Sequence, residues 1–311
     1  MSTPAVSLGR VVLSASEVWE RTVLLYHGLR KRTIHLPDSQ SHIVCWAPKD
    51  VASACSRKPP LLLLHGFRSS AARWAPHVSS LSPHFSLFIP DLLFFGESTT
   101  SSLERSEIFQ ARCIHAALLS LGVKRSFVMG HSYGGFVAYR LAHLYPESVS
   151  KLIIVSSGIR MDCHNNDSAM HKTGAKSVHD LLAPTSVHSA KQLSNIVFNT
   201  VPKIPDFILE AALSLNNSNR DRHVELIDAL EIGKYECPTD IPKASQKTLI
   251  LWGEKDQIFD VKLAYDLQHF LGGTAELKVF EGQGHVPQLA QGFYEEVISF
   301  LSIAGDGDFY K

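Results

Sequence analysis

The chain has 311 residues, 45% hydrophobic and 19% charged, enough to bury one large core or a core carrying a smaller insertion, and too apolar for disorder. Thirty basic side chains balance thirty acidic ones, so no global field favours nucleic acid or anionic lipid. The five cysteines, Cys45, Cys55, Cys113, Cys163 and Cys237, are odd in number and form no C-x-x-C pair; they argue for reduced thiols in a cytoplasmic setting and against a disulfide framework or a zinc site.

The chain starts with a helical segment, residues 1–30. Between Val11 and Leu29 the apolar positions fit an amphipathic helix that either packs on the core or makes peripheral contact with a membrane; the segment is too broken by polar residues for a signal-peptide core or a span. Lys31 to Leu36 and His42 to Ala47 read as a hairpin around Pro37-Asp38-Ser39. Beyond Pro59-Pro60 the rhythm changes. Leu61 to Leu64, Phe85 to Ile89, Phe127 to Met129 and Leu152 to Val155 are continuous apolar runs separated by helical stretches, as expected of parallel strands covered on both faces. From about Arg160 to Pro242 the pattern is helical and polar, with Asp180, Ser194, Pro205-Asp206 and Asn219 as helix starts. Asn166-Asp167-Ser168 and Asn216-Asn217-Ser218 match the glycosylation pattern and, with no stretch that reads as a signal-peptide core, are expected to be coincidence. Strands resume at Thr248 to Trp252 and Glu276 to Phe280, and Phe293 to Leu301 closes the pattern as a helix. The expected division is an α/β core over 31–159 and 243–311 with a helical cap over 160–242.

Chemistry enters at Gly130-His131-Ser132-Tyr133-Gly134, where a short apolar strand gives way to a helical face through Phe136, Val137, Leu141 and Ala142. With Gly and Ser each near about 7%, a chain of this length holds a G-x-S-x-G by chance about one time in ten, so the strand-to-helix context decides. A serine hydroxyl needs a general base, and the base a carboxylate. His285, glycine-flanked in a loop after the last strand, is the candidate base. Asp256, in the loop after Leu251-Trp252-Gly253, is the candidate acid, with Glu254, Asp260 and the more distant Asp162 as rivals. The order Ser, Asp, His is that of a strand-elbow hydrolase rather than of either familiar serine-protease order. An oxyanion hole is expected from the backbone N–H groups of Phe67, in His65-Gly66-Phe67 after the Leu61 to Leu64 strand, and of Tyr133. His65 and Asp91 are expected to brace loops. This chemistry calls for no metal and no cofactor.

His65-Gly66, the loop from Asp91 to Ser98, Gly130 to Gly135, Asp256 and His285 together resemble the α/β-hydrolase superfamily, over Pro60 to Leu301. The elbow with its following Gly-Phe-Val-Ala-Tyr, Tyr145-Pro146-Glu147 and Ser156-Ser157-Gly158 is similar to plant serine hydrolases grouped with monoacylglycerol lipases and epoxide hydrolases. The resemblance implies an eight-stranded, mostly parallel sheet flanked by helices, with a helical cap after the sixth strand. Epoxide hydrolases and haloalkane dehalogenases attack with an aspartate where this chain has Ser132, which argues against both activities. The expected activity is cleavage of a carboxylic ester, of an apolar acyl or aromatic small molecule or a lipid, through an acyl-enzyme. Cap residues such as Leu181, Ile196, Phe198, Phe207 and Leu226 either line a greasy pocket or hold the cap on the core. The same residues also suit acyl transfer, carbon–carbon hydrolysis or lyase chemistry, and a hydrolase-like hormone receptor is the reading from another class.

Overall fold

The computed structural model describes residues 4–37, 40–165, 170–171, 174–198, 204–216, 219–234 and 241–302. Asp38, Ser39, Asn166, Asp167, Ser168, Asn217, Ser218 and Cys237 lie outside them. The strands are β1 (Leu29–His35), β2 (Ser41–Pro48), β3 (Pro60–Leu64), β4 (Ser86–Pro90), β5 (Thr99–Thr100), β6 (Ser126–His131), β7 (Val149–Val155), β8 (Lys247–Gly253) and β9 (Ala275–Phe280). They form one sheet in the order β1-β2-β4-β3-β6-β7-β8-β9, with β5 paired to β2. From β4 to β9 every neighbour is parallel; β2 pairs antiparallel with β1, β4 and β5. The two-residue β5, joined to β2 through Ser41 and Thr100, adds a ninth strand to the eight expected. It is too short to carry an alternation that sequence could show.

Every residue of β3 and β4 is buried, because helices cover both faces. The period-two alternation of a strand then divides the core. Leu62, Leu64, Val128, Ile154 and Ile250 pack under α4 (Glu107–Ser120), α5 (Tyr133–Leu144) and α10 (Lys262–Leu271). Leu61, Leu63, Met129, Ile153 and Leu251 pack on the other side against Leu24 of α1 (Pro4–Tyr26), Val78 and Leu81 of α3 (Ala75–Leu81), and Phe293, Val297 and Phe300 of α11 (Phe293–Ser302). Each such side chain contributes about 1.5 to 3 kcal/mol of burial. Lys151, buried in β7, donates to the Phe300 and Leu301 carbonyls and so satisfies the last turn of α11. A five-residue helix, α2 (Val51–Cys55), follows β2.

The first helix ends earlier than expected: α1 stops at Tyr26 and leaves Leu29 as the first residue of β1. Gly28, at φ 81°, takes the left-handed conformation that ends it. Its inner face meets the inserted segment at Gly9 and the core at Glu20 and Leu24, with Glu20 bonded to Arg73 at 3.1 Å. A side chain at position 9 would run into the carbonyl of Phe207, so Gly9 permits the close crossing of α1 with α8 (Asp206–Asn216). Leu8, Val11, Val12, Val18, Trp19, Leu25 and Tyr26 face outward and are exposed.

Between β7 and β8 run α6 (Val178–Leu182), α7 (Val187–Val197), α8 and α9 (Arg220–Asp228). Two helix starts shift. Ser177 accepts the Asp180 N–H and makes Asp180 an inner residue of α6, while Ser186 and Ser189 cap each other's backbone and leave Ser194 inside α7. Asp206 begins α8, and Asn219 precedes α9, as expected. The segment is tied to the core at Glu107, fully buried, whose carboxylate accepts from Arg140 at 2.9 Å and from the Glu231 N–H at 3.1 Å. Tyr139 donates to the Pro242 carbonyl at 2.7 Å and secures the return to β8. No helix among the described residues is long and apolar enough to cross a membrane.

Candidate active site

Ser132 joins β6 to α5 at φ 55° and ψ −120°, a conformation that costs a non-glycine residue about 1 to 3 kcal/mol. Its neighbours make room: a Cβ at Gly130 would strike the Gly134 carbonyl, and one at Gly134 would lie 2.5 Å from the Leu64 carbonyl oxygen. The strained residue is pinned on both sides of its peptide. Its N–H donates to Val155 at 2.9 Å, and its carbonyl accepts from the Gly135 N–H at 2.8 Å and the Ser157 hydroxyl at 2.7 Å.

His285 Nε2 stands 2.9 Å from Ser132 Oγ, and its Nδ1 stands 2.8 Å from Asp256 Oδ2. A carboxylate can only accept, so Nδ1 carries the hydrogen and leaves Nε2 free to receive the serine proton. The other Asp256 oxygen accepts the N–H groups of Ile258 at 2.8 Å and Phe259 at 3.0 Å, which fixes the carboxylate in its turn. All three residues are buried, Ser132 at 8% exposure and the other two at 5%. The loops after β8 and β9 reach each other because Gly253 has no side chain: a Cβ there would run into the Gly284 carbonyl. Lys255 N–H donates to the Gln283 carbonyl at 2.8 Å across the same seam.

The rival acids accept backbone N–H groups instead. Asp162 Oδ1 accepts the His164 and Asn165 N–H groups, Glu254 accepts the Gly282 N–H, and Asp260 accepts the Lys262 N–H.

Phe67 and Tyr133 are neighbours, their rings 5.9 Å apart. Tyr133 is the first residue of α5, so its N–H has no helical acceptor. Neither it nor the Phe67 N–H is bonded to a backbone carbonyl among the described residues. The exit of β3 passes close beside the elbow, since a Cβ on Gly66 would lie 3.3 Å from the Ser132 Cβ. His65 locks that exit: Nδ1–H donates to the Gly66 carbonyl at 2.8 Å and Nε2 accepts the Leu92 N–H at 3.0 Å. Burial pushes its pKa down, so the ring stays neutral and serves both bonds. Asp91 accepts the Ala71 and Glu97 N–H groups at 2.7 and 2.8 Å and braces the loop after β4.

Three residues near the site were not singled out in the sequence. His131 donates Nε2–H to the His285 carbonyl at 2.9 Å, and burial, with His285 beside it, pushes its pKa to about 3. Ser157 holds the elbow carbonyl. His223, from α9, stacks on Phe95 at 5.2 Å and meets Phe67 at 5.5 Å; burial first, and Arg68 beside it, push its pKa to about 4. His223 sits in the polar run Arg220-Asp221-Arg222-His223, where nothing but helical spacing marks an inward position.

A family profile described as alpha/beta hydrolase fold matches residues 59–181. The chain is 27% identical over 278 residues to Monoacylglycerol lipase ABHD6 of Homo sapiens, covering 86% of this chain and 79% of that protein. It is 25% identical over 253 residues to the 2-hydroxy-6-oxononadienedioate/2-hydroxy-6-oxononatrienedioate hydrolase of Escherichia coli K12, covering 78% and 86%. Among solved structures, a membrane phospholipase A described as a bacterial virulence factor superposes with a TM-score of 0.78 at 20% identity, over 94% of this chain and 91% of that one.

Proposed function

We propose that the chain acts as a hydrolase of the α/β-hydrolase superfamily and cleaves a carboxylic ester of an apolar acyl or lipid substrate through Ser132, His285 and Asp256. The observation that carries the reading is the buried, unbroken line of hydrogen bonds from Ser132 Oγ through His285 to Asp256. Ser132 attacks the acyl carbonyl while His285 Nε2 takes its proton; the carbonyl oxygen gathers charge against the Phe67 and Tyr133 N–H groups. His285 returns the proton to the departing alcohol. Water then attacks the acyl-enzyme by the same relay, releasing the acid and restoring Ser132. Asp256 stabilises the imidazolium at both stages. None of these steps uses a metal or cofactor.

The name of the human relative supports a lipid ester. Residues 160–242 act as the cap, a reading supported by the His223 ring packed against Phe67 and Phe95. The outer face of α1 rests on the lipid surface that presents the substrate; its exposed valines and leucines, with Trp19 and Tyr26 as amphipathic anchors, support this. A cytoplasmic setting is supported by Cys45, Cys55 and Cys163, which form no disulfide among the described residues. Carbon–carbon bond hydrolysis with the same three residues is the second reading, favoured by the name of the bacterial relative. A fluorophosphonate should label Ser132 alone, and Ser132→Ala should keep its fold while losing roughly 10³-fold or more in kcat on nitrophenyl esters. Full turnover by the folded variant refutes the assignment.

A further inference from the structure

Next to Phe67, between the core and the helices that follow β7, lies a cavity of about 130 Å³ whose lining includes Arg68, Thr185, Ser214, Arg220 and His223. Two guanidinium groups converge on it from different parts of the chain, one from the loop after β3 and one from the start of α9. Arg68 is held at φ 54°, the left-handed conformation that a long side chain rarely adopts. Each group has five N–H donors, yet the bonds they make to protein are few: Arg68 Nη1 to the Leu182 carbonyl at 3.2 Å and Arg220 Nε to the Ala183 carbonyl at 3.3 Å. The carboxylate paired with Arg220 is that of Asp180, half-exposed and 4.0 Å away. A third cation stands at the rim, where Arg10 Nη2 donates to the Ser214 hydroxyl at 3.0 Å. Burial and the charge of Arg220 both push the Arg68 pKa down, the mark of a cation short of counter-charge.

Two like charges beside a cavity are costly unless an anion joins them, and planar forks of donors suit carboxylate or phosphate oxygens. We propose that this cavity holds a compact oxyanion, a carboxylate or phosphate, carried by the substrate itself. One water needs about 10 to 15 Å³ of such space, so the cavity has room for a carboxylate or phosphate group together with several waters. His223, which lines the cavity, packs on the Phe67 ring at 5.5 Å, so the charged group lies on the side of the site where the Phe67 N–H would receive the developing oxyanion. The substrate half of the proposal rests on the ester-hydrolase reading; the anion half does not.

The binding arm measures thermal unfolding of the full chain in inorganic phosphate and in succinate against chloride at equal ionic strength. Saturable stabilisation is expected in the wild type, lost in Arg220→Gln and partly kept in Arg220→Lys. No stabilisation over chloride, or equal stabilisation of Arg220→Gln, overturns the site. The catalytic arm compares kcat/KM for mono-4-nitrophenyl succinate and 4-nitrophenyl butyrate. The charged ester should be preferred, and Arg220→Gln should cut the ratio by about tenfold or more, the loss of one charge-assisted hydrogen bond. Stabilisation by phosphate with an unchanged ratio means that a free anion is bound, and overturns the substrate-borne assignment. Absent turnover of both esters counts against the hydrolase reading, while the unfolding measurement still decides the cavity.

Discussion

In the proposed mechanism Asp256, bonded to His285 Nδ1, acts on the reaction only through that ring, so its replacement tests geometry more than charge. In Asp256→Asn the amide can turn its NH₂ toward Nδ1, which stabilises the wrong tautomer and takes Nε2 away from the serine. A loss of about 10⁴-fold in kcat is expected, with substrate binding largely kept. Asp162→Asn should leave kcat close to wild type, because the Asp162 carboxylate caps its own turn. A collapse of Asp162→Asn with Asp256→Asn unaffected relocates the acid. That Ser132, Asp256 and His285 come together was legible because each follows a recognisable strand, and the ends of neighbouring parallel strands share one edge of the sheet. His131 and His223 were not. Their partners, the His285 carbonyl and Phe95, lie more than a hundred positions away, and a lone histidine carries no local pattern that names such a partner.

Helices were legible in proportion to their caps and faces. Asp206 and Asn219 marked α8 and α9 correctly, whereas Ser194 was mistaken for a start because the sequence does not reveal that Ser186 and Ser189 already close a capping box upstream. The inner and outer faces of α1 posed a subtler problem. Periodicity announces an apolar stripe, but the stripe of Leu8, Val11, Val18 and Trp19 points outward, and the inner side is met by Gly9, Glu20 and Leu24. If that outer stripe meets lipid, the wild type should float with phosphatidylcholine vesicles, and a Val18→Glu, Trp19→Glu double variant should remain in the aqueous fraction. Each removed side chain takes away roughly 1.5 to 3 kcal/mol of transfer free energy. Equal flotation of the two proteins would show that α1 is not the contact.

At the scale of the whole molecule, the parallel sheet was legible from its uniformly apolar strands, and the site followed from it, since the carboxyl ends of parallel strands are where loops gather. Its stability should depend on neutral histidines. His77 and His223 have pKa values pushed to about 4 and His131 to about 3 by burial, against about 6.5 in the unfolded chain. Below about pH 6.5 the unfolded state therefore binds more protons than the folded one, so stability is full above that value and falls as pH drops toward 4. Chemical denaturation at pH 7.5, 6 and 5 should show this decline, and His77→Phe should flatten it; an unchanged slope in that variant would remove His77 from the account. Ser132 leaves β6 at the middle of the sheet, but its partner arrives from the loop after β9, the outermost strand, 153 positions later. Closing so long a loop comes late in assembly. Returning turnover during refolding is thus a clock for the arrival of the last strand, and should lag behind any signal that reports collapse of the centre.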